Sequence, residues 1–374
     1  MTRVILLCSG FLAAVTLGFG FQKTDKPEGW ASQSGGTSGG AGGTEVTVST
    51  LAQLQAEAKS TGKKIILVNK GTYTGEVVVA SEKSILGKEP GVLIVGSVHI
   101  SKSSDVIIRN IAVRGEKCQD YETCKAGDDA VSVNNQAHHI WLDHLDVSDG
   151  QDGNCDITNG SDFVTVTWSK FWYSYDKEHR FSNLIASDDN VAIDKGKLNI
   201  TYAYCWWADR VVERQPRGRA GKVHVFNNLY TSSATNYICG PGVDIQMLIE
   251  NNAMKTQGTA IKPFDGSPAP AFKSVGNIGT AKDMTLSQGT VFSPPYALSL
   301  KMAASEVEAK VKPAAGNTLT LDPDPTPIQS PRKALPETPG VGGSPGIDAN
   351  GRAMTAEQNP GAPAAGIFPA PMRP

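Results

Sequence analysis

The sequence lacks an excess of charge of either sign. Its 374 residues contain 35 lysines and arginines against 37 aspartates and glutamates, a formal net charge of −2. A strongly basic chain would indicate binding to nucleic acid or to an anionic membrane through its overall field, and this balance gives no such indication. We expect no nucleic-acid partner, and any electrostatic function must come from local clusters of charge.

Long apolar segments are also lacking, except at the start of the chain. Arg3 precedes the run VILLCSGFLAAVTLGFG, which ends in small residues and is followed by the polar QKTDK. This run is short for a membrane span, and the order of its parts is typical of a secretory signal. We predict a signal peptide at residues 1–20, a secreted protein and no membrane association of the mature form; a membrane anchor is the alternative.

Cysteine is scarce, and no CxxC pair or Cys/His spacing suggests zinc. Beyond the predicted signal peptide the cysteines are Cys118, Cys124, Cys155, Cys205 and Cys239. Export permits disulfides, and Cys118 and Cys124 can close a small loop in CQDYETC. The odd number leaves at least one thiol free or paired with another chain.

What the sequence does contain is a repeat of short segments in one register. These are DVIIRNIAV, HIWLDHLDV, FVTVTWSKF, KLNITYAYC, KVHVFNNLY and QMLIENNAM, which start 34, 24, 34, 25 and 24 residues apart. The second and fourth residues are apolar: Val106/Ile108, Ile140/Leu142, Val164/Val166, Leu198/Ile200, Val223/Val225 and Met247/Ile249. The sixth is polar or aromatic: Asn110, His144, Trp168, Tyr202, Asn227 and Asn251.

A repeat of this length with alternating spacing predicts a β-solenoid. Each coil of a parallel β-helix contributes short strands whose alternate side chains point into a stacked interior. Stacked asparagines can hydrogen-bond along the axis. A β-sandwich built from hairpins is the alternative, but hairpin turn pairs such as Asn-Gly are scarce between these segments.

The composition changes on both sides of the repeat. Residues 21–44 are rich in Gly and Ser, which predicts a flexible segment. Thr50 follows, where it can cap a short helix with Leu54 on its apolar face. Residues 317–374 are rich in Pro, Gly and Ala, which predicts a disordered tail. The β-helix domain is therefore predicted at residues 45–316.

Two acidic clusters lie about one coil apart. Asp128 and Asp129 lie in KAGDDAV, and Asp152 and Asp156 lie in DGNCDIT. Carboxylates from adjacent coils can converge on a hard cation, and oxygen ligands without Cys or His favour calcium. Ordinary solvated turns, which also contain Asp and Gly, are the alternative.

A basic cluster, ERQPRGR, follows two coils later and contains Arg214, Arg217 and Arg219. Guanidinium forks match planar carboxylates. A cation site and an arginine cluster on one face would suit a polymer whose charges are carboxylates. The alternative is a solvated loop, or arginines paired with nearby acidic residues.

Three of these stretches together resemble the calcium-dependent pectate lyases of polysaccharide lyase family 1. They are HIWLDH, DGNCDIT and VVERQPRGRAGKVHVFNNLY, and the resemblance extends over residues 35–316. It implies an all-β fold, a right-handed single-stranded parallel β-helix, in agreement with the repeat. It also implies Ca²⁺ as cofactor and polygalacturonate as the polymer bound and cleaved by β-elimination, and we expect a monomer.

By position, the resemblance implies roles for single residues. Arg214 is the base and Arg219 clamps a substrate carboxylate. Arg217, at a variable position of the same motif, is a further candidate for substrate binding. Because the pKa of arginine is about 12 or above, we hypothesise that crowding by other cations lowers the pKa of Arg214. The implied calcium ligands are Asp129, Asp152 and Asp156.

One departure from the family concerns a lysine that is absent from EHRFSNLIASDD. Arg180 could supply that charge at the substrate, and Lys177 is the alternative. We interpret Asp143 and His144 of HIWLDH as structural. The alternatives to a pectate lyase are a pectin lyase on methylated substrate and a non-catalytic β-helix that binds an acidic polysaccharide.

Overall fold

The structure is a computed structural model that describes residues 19–323. Its strands form parallel sheets in which strands from successive coils stack along one axis. Successive short strands of the chain fall in different sheets. This arrangement is a parallel β-helix, as the repeat predicted. Two long strands run through both the first and the third sheet and join them: Arg217–Phe226 and Tyr237–Glu250.

The bounds of the strands are as follows. The first sheet contains Thr44–Val48, Lys64–Val68, Lys83–Gly87, Ser104–Arg109, His138–Asp143, Asp162–Thr167, Asn199–Ala203, the C-terminal parts of the two long strands, and Ala271–Val275. The second contains Gly71–Thr74, Val92–Val95, Ala112–Arg114, Asp146–Ser148, Lys170–Trp172, Trp206–Trp207, Leu229–Tyr230, Ala253–Met254 and Ile278–Gly279. The third contains Val77–Val78, Val98–Ser101, Val131–Asn134, Cys155–Ile157, Leu184–Ile185, the N-terminal parts of the long strands, and Thr259–Ile261.

Helices are few and short. The α-helices are Leu51–Lys59, Tyr121–Lys125 and Val307–Ala314, and the 3₁₀ turns are Gly29–Ser32 and Ala304–Glu306. Thr50 caps the first helix in a capping box with Gln53, and Leu54 is buried on its inner face, as predicted. Among residues 19–323, no helix is long and apolar enough to cross a membrane.

The interior is a column of aligned apolar side chains. Paired residues on adjacent strands of the first sheet, all fully buried, are Val106, Ile140, Val164, Ile200, Val223 and Met247. Each such side chain stabilises the fold by roughly 1.5–3 kcal/mol through removal of apolar surface from water. The predicted register is confirmed for five segments and is wrong for the fourth, where Ile200 rather than Leu198 occupies the column.

The bend between the first and second sheets lies at the sixth position of five segments and at the eighth position of the fourth. The backbone is left-handed there at Asn110, His144, Trp168, Tyr204, Asn227 and Asn251, with φ between 48° and 62°. Tyr204 therefore takes the place predicted for Tyr202, which is buried in the core instead. The rings of His144 and Trp168 stack at 5.9 Å, and those of Trp168 and Tyr204 at 4.7 Å.

Asparagines also form the expected ladder along the axis, one residue after the bend. The Asn252 side-chain oxygen accepts from the Asn228 backbone N–H at 2.8 Å, and that of Asn277 accepts from the Asn252 N–H at 2.8 Å. These bonds satisfy buried backbone groups that would otherwise have no partner.

The segment predicted to be flexible is packed against the first sheet. Gly40 N–H donates to the Ser84 hydroxyl at 2.9 Å, and Gly39 N–H donates to the Asp105 carboxylate at 2.6 Å. A Cβ on Gly40 would lie 1.8 Å from the Lys64 carbonyl oxygen. The glycines here permit close backbone contact, so the prediction of flexibility for residues 21–44 is wrong over this stretch.

The folded unit also extends past the predicted limit at residue 316. Leu319–Leu321 forms a parallel pair with Phe19–Phe21, near the other end of the described chain. The start of the predicted disordered tail is therefore ordered, and the end of the predicted signal peptide, at residues 19 and 20, lies in a strand. The remainder of both predictions, residues 1–18 and 324–374, lies outside the described residues.

Candidate active site

The three predicted calcium ligands come together at one edge of the third sheet. Asp129 lies just before Val131–Asn134, and Asp152 and Asp156 lie on the next coil, where Val131 pairs with Cys155. One carboxylate oxygen from each of the three acids lies within 4.8 Å of the others. Spacing by one coil thus brings about the convergence that the sequence predicted.

Burial and mutual repulsion dominate the electrostatics of this cluster. Burial raises the pKa of Asp129 well above its usual range, and the charges of Asp156 and Asp152 raise it further. Burial also raises the pKa of Asp156 to about 7, although a hydrogen bond from the Leu184 N–H and the nearby charges of Arg214 and Arg219 oppose the rise. Three carboxylates held this way are costly without a cation.

The cluster is shaped to fit a hard cation. Oδ1 of Asp129 is buried and has no hydrogen-bond partner within the described part of the chain. A Cβ on Gly153 would lie 2.6 Å from Oδ1 of Asp156 and 2.8 Å from Oδ1 of Asp129, so glycine keeps the space between them open. An all-oxygen donor set with an unsatisfied buried carboxylate suits Ca²⁺. Asp128 does not join the cluster, since its side chain is 73% exposed and points towards His99.

Lys177 lies beneath the acidic loop and supports it. Its ammonium donates to the carbonyl oxygens of Gly150 at 2.5 Å and Gln151 at 2.7 Å, and the residue is 3% exposed. Burial lowers its pKa to about 8, against the opposing effect of nearby aspartates. Lys177 therefore does not face solvent, and its ammonium is occupied by backbone carbonyl oxygens.

The arginines lie on the same edge of the third sheet, on the coils that follow. Phe181, next to Arg180, bridges to Gly153 on one side and to Glu213 on the other, so this coil lies between the acids and Arg214. Arg217 pairs with Leu184 in the third sheet. Arg217 and Arg219 belong to a ten-residue strand, Arg217–Phe226. The expectation of an arginine loop holds only for Arg214, which precedes the strand with a left-handed φ of 60°.

Each arginine is held by different contacts. Arg219 donates to the Asp189 carboxylate at 2.7 Å and to the Ala186 carbonyl at 2.9 Å. Arg180 is paired with Asp176. The other two lie over aromatic rings, Arg214 over Phe181 at 4.7 Å and Arg217 over Phe264 at 4.0 Å. Two of the four guanidinium groups are thus bound to oxygen acceptors, and the other two are stacked on aromatic rings.

The effect of crowding is visible at Arg217. Burial lowers its pKa, and the positive charges of Arg219 and Arg214 lower it further. Charge crowding therefore acts at the middle arginine of the motif, and the hypothesis that crowding activates Arg214 stays a prediction. A basic edge next to an acidic cation site can bind a polymer of carboxylates.

Comparison with known proteins places this geometry in a family. The pectate lyase family model matches residues 11–319. The chain belongs to the pectate lyase family. Pectate lyase plyB of Emericella nidulans is 32% identical over 78% of this chain and 89% of its own length, and pectate lyase A of Aspergillus niger is 33% identical over 80% and 90%.

The fold likewise matches solved pectate lyases. A structure described as a pectate lyase bound to hexasaccharide superposes with a TM-score of 0.67 at 24% identity, covering 81% of this chain and 99% of that one. The parallel β-helix is thus the fold of the family, and this member is a polysaccharide lyase.

Two aromatic residues of this pectate lyase site were not predicted from the sequence. His179 is 1% exposed, and its Nε2 lies 3.1 Å from Oδ1 of Asp152. Its ring lies 4.2 Å from that of Phe181 and 5.0 Å from that of Tyr121. A lone histidine and a lone phenylalanine in EHRFSN have no spacing partner that would have indicated these contacts.

Asp143 and His144 lie in a different part of the pectate lyase fold. Asp143 ends a first-sheet strand and accepts hydrogen bonds from the Thr167 hydroxyl at 2.6 Å and from His144 Nδ1 at 2.8 Å. It also pairs with Arg109. These contacts, and the stacking of His144 on Trp168, agree with a structural interpretation.

The predicted small disulfide loop is present. Cys118 and Cys124 are bonded, while Cys155, Cys205 and Cys239 are free and buried. The loop carries the helix Tyr121–Lys125 and leads directly into Asp128 and Asp129.

Proposed function

We propose that this lyase is secreted, acts as a monomer and cleaves (1→4)-α-D-galacturonan by calcium-assisted β-elimination, with an arginine as base. One observation carries the proposal: three converging carboxylates, among them the buried Asp129 oxygen without a hydrogen-bond partner in residues 19–323, share one edge of the third sheet with four arginines. De-esterified substrate fits this edge best, because methylation would remove the negative charges that it is built to receive.

Asp129, Asp152 and Asp156 would hold the calcium. When bound, calcium supplies Lewis-acid stabilisation of the negative charge that develops on the substrate carboxylate. Gly153 keeps the cavity between the carboxylates open, and Lys177 fixes the loop that carries Asp152.

The arginines supply the remaining chemistry. Arg214 takes the proton from C5 of a galacturonate, the C4–oxygen bond breaks, and a 4,5 double bond forms as the leaving oxygen takes a proton from water. Arg219 binds a substrate carboxylate, which displaces Asp189, a residue with a 74% exposed side chain. Arg180 and Arg217 add fixed positive charge where negative charge develops.

The test is an absorbance assay for the unsaturated product, with polygalacturonate and highly methylated pectin, each with calcium and with EDTA. We expect unsaturated product in only one of the four assays, polygalacturonate with calcium. Preference for methylated pectin without calcium would establish a pectin lyase instead, and absence of product in all four assays would favour the non-catalytic binding protein.

The base is tested by Arg214→Lys, with Arg114→Lys as the matched control on an exposed second-sheet arginine. We expect the first variant to lose at least a hundredfold in kcat, as for loss of general acid–base catalysis. Wild-type turnover of Arg214→Lys across alkaline pH would refute this role, and Arg217→Lys would then be the next variant to measure.

A further inference from the structure

The guanidinium group of Arg214 lies over an aromatic ring. Its Cζ lies 4.7 Å from the centroid of the Phe181 ring. Its Nε is buried and has no hydrogen-bond partner among residues 19–323. Arg219, in contrast, is held by a carboxylate and a carbonyl oxygen. The ring is therefore the defined contact of the Arg214 side chain.

The backbone fixes the position of Phe181 between the two halves of the site. Phe181 forms parallel bridges with Gly153, in the acidic coil, and with Glu213, next to Arg214. Its carbonyl oxygen accepts a hydrogen bond at 2.6 Å from the hydroxyl of Tyr173, whose side chain is fully buried. The backbone of Phe181 is thus tied on both sides, to the coil that carries the acidic cluster and to the residue that precedes Arg214.

Further rings support Phe181. The His179 ring lies 4.2 Å from that of Phe181, and Tyr121 lies 5.0 Å from His179. Tyr121 begins the helix of the loop that the disulfide between Cys118 and Cys124 closes. Phe181 therefore has little freedom to turn away from Arg214, because packed rings restrict its rotamers.

We propose that Phe181 is a positioning residue, which orients the Arg214 guanidinium towards the substrate; the inference rests on the proposed role of Arg214 as base. An aromatic face attracts a guanidinium group but offers no acceptor for its N–H groups. The N–H groups therefore stay available to the substrate. A carboxylate at the same place would occupy them and would stabilise the charged form that cannot accept a proton.

The experiment compares Phe181→Leu, which removes the ring, with Phe181→Tyr, which keeps its face. The matched control is Phe163→Leu, which removes a half-buried ring of the first sheet next to Trp30 and His139. For each full-length variant, kcat and KM on polygalacturonate are measured, together with calcium affinity by calorimetry and the melting temperature.

We expect Phe181→Leu to lower kcat at least tenfold, with KM and calcium affinity within twofold of the wild type. Phe181→Tyr should recover kcat to within threefold of the wild type, and Phe163→Leu should leave kcat unchanged. A folded Phe181→Leu variant with kcat within twofold of the wild type would overturn the proposal, as would equal losses of kcat in the Leu and Tyr variants. A fall in kcat that parallels a loss of calcium affinity would also overturn it.

Arg214→Lys, measured alongside, separates the two hypotheses. An inactive Arg214→Lys together with a fully active Phe181→Leu refutes only the positioning role. An active Arg214→Lys refutes the proposed base, and the positioning role with it.

Discussion

In the calcium-free protein, Asp156→Asn should stabilise the fold even though it weakens the proposed calcium site. The Asp156 carboxylate is buried beside Asp129 and Asp152, and burial raises its pKa from 3.8 to about 7. Asparagine keeps the oxygen that accepts from the Leu184 N–H at 2.9 Å and replaces the other carboxylate oxygen by an uncharged NH₂ group. The substitution therefore isolates the electrostatic cost of the cluster.

The magnitude follows from the pKa difference. Each unit corresponds to about 1.4 kcal/mol, so ionised Asp156 costs the folded state about 4 kcal/mol at pH 8. Because the pKa of the folded state lies above that of the unfolded state, the folded protein binds more protons between these values. Its stability therefore falls as pH rises from about 4 to about 7. The gain from asparagine should shrink to about 2 kcal/mol at pH 5.

Urea unfolding of the wild type and of Asp156→Asn in EDTA, at pH 5 and at pH 8, measures the gain in the free energy of unfolding at each pH. The control is Asp149→Asn, at a buried aspartate that accepts hydrogen bonds from the Ser174 N–H and hydroxyl at 2.7 and 2.6 Å. That variant should lose about 1–3 kcal/mol at either pH. Calcium at 100 times its Kd should raise the free energy of unfolding of the wild type by about 2.7 kcal/mol. The difference in stability between the wild type and Asp156→Asn should therefore become smaller.

The reasoning is refuted if Asp156→Asn in EDTA at pH 8 is no more stable than the wild type. It is also refuted if the gain does not depend on pH, because the cost would then not arise from ionisation of the carboxylate.

The remaining predictions concern the space in the site and the buried thiols. Gly153→Ala would place a Cβ 2.6 and 2.8 Å from two carboxylate oxygens, so calorimetry should show calcium affinity at least tenfold lower; unchanged affinity would show that Gly153 does not shape the site. The three free thiols of residues 19–323, Cys155, Cys205 and Cys239, are fully buried and burial raises their pKa values, so in the native protein they should not react with a thiol reagent at pH 8. All three should react in denaturant, and rapid modification of any of them in the native protein, located by peptide mapping, would contradict their burial.

Much of the fold was predictable because every coil of a solenoid has the same packing requirement. Each coil must bury alternate side chains, so the period appears in the sequence. The shift of the fourth segment by two residues could not be inferred from the sequence, because such a shift keeps the same side chains on the inward face. Leu198 and Ile200 are both apolar and both buried, so alternation alone cannot distinguish them.

Composition was misleading at the Gly-rich segment. Glycine is typical of flexible linkers, but it is also the residue that permits close approach of two backbones. Gly40 serves the second purpose against Lys64, and only the position of a neighbouring strand, 24 residues away in sequence, reveals this.

The candidate site was predictable where one coil separates the functional residues, and less so elsewhere. Asp129 and Asp156 lie one coil apart and converge as expected. The role of Lys177 depends on which way its side chain points, and the sequence does not encode that locally. The contact between Phe181 and Arg214 joins residues 33 positions apart through insertions of irregular length, so no period could indicate it.

The pairing of Phe19–Phe21 with Leu319–Leu321 constrains the order in which parts of the fold can form. Leu319–Leu321 is synthesised after every coil of the β-helix, so Phe19–Phe21 has no partner until the whole β-helix has left the ribosome. The pair therefore forms late. It also brings residues 19–21 and 319–321 side by side, so cleavage after residue 20, where the predicted signal peptide ends, would leave only Phe21 of the first strand of the pair.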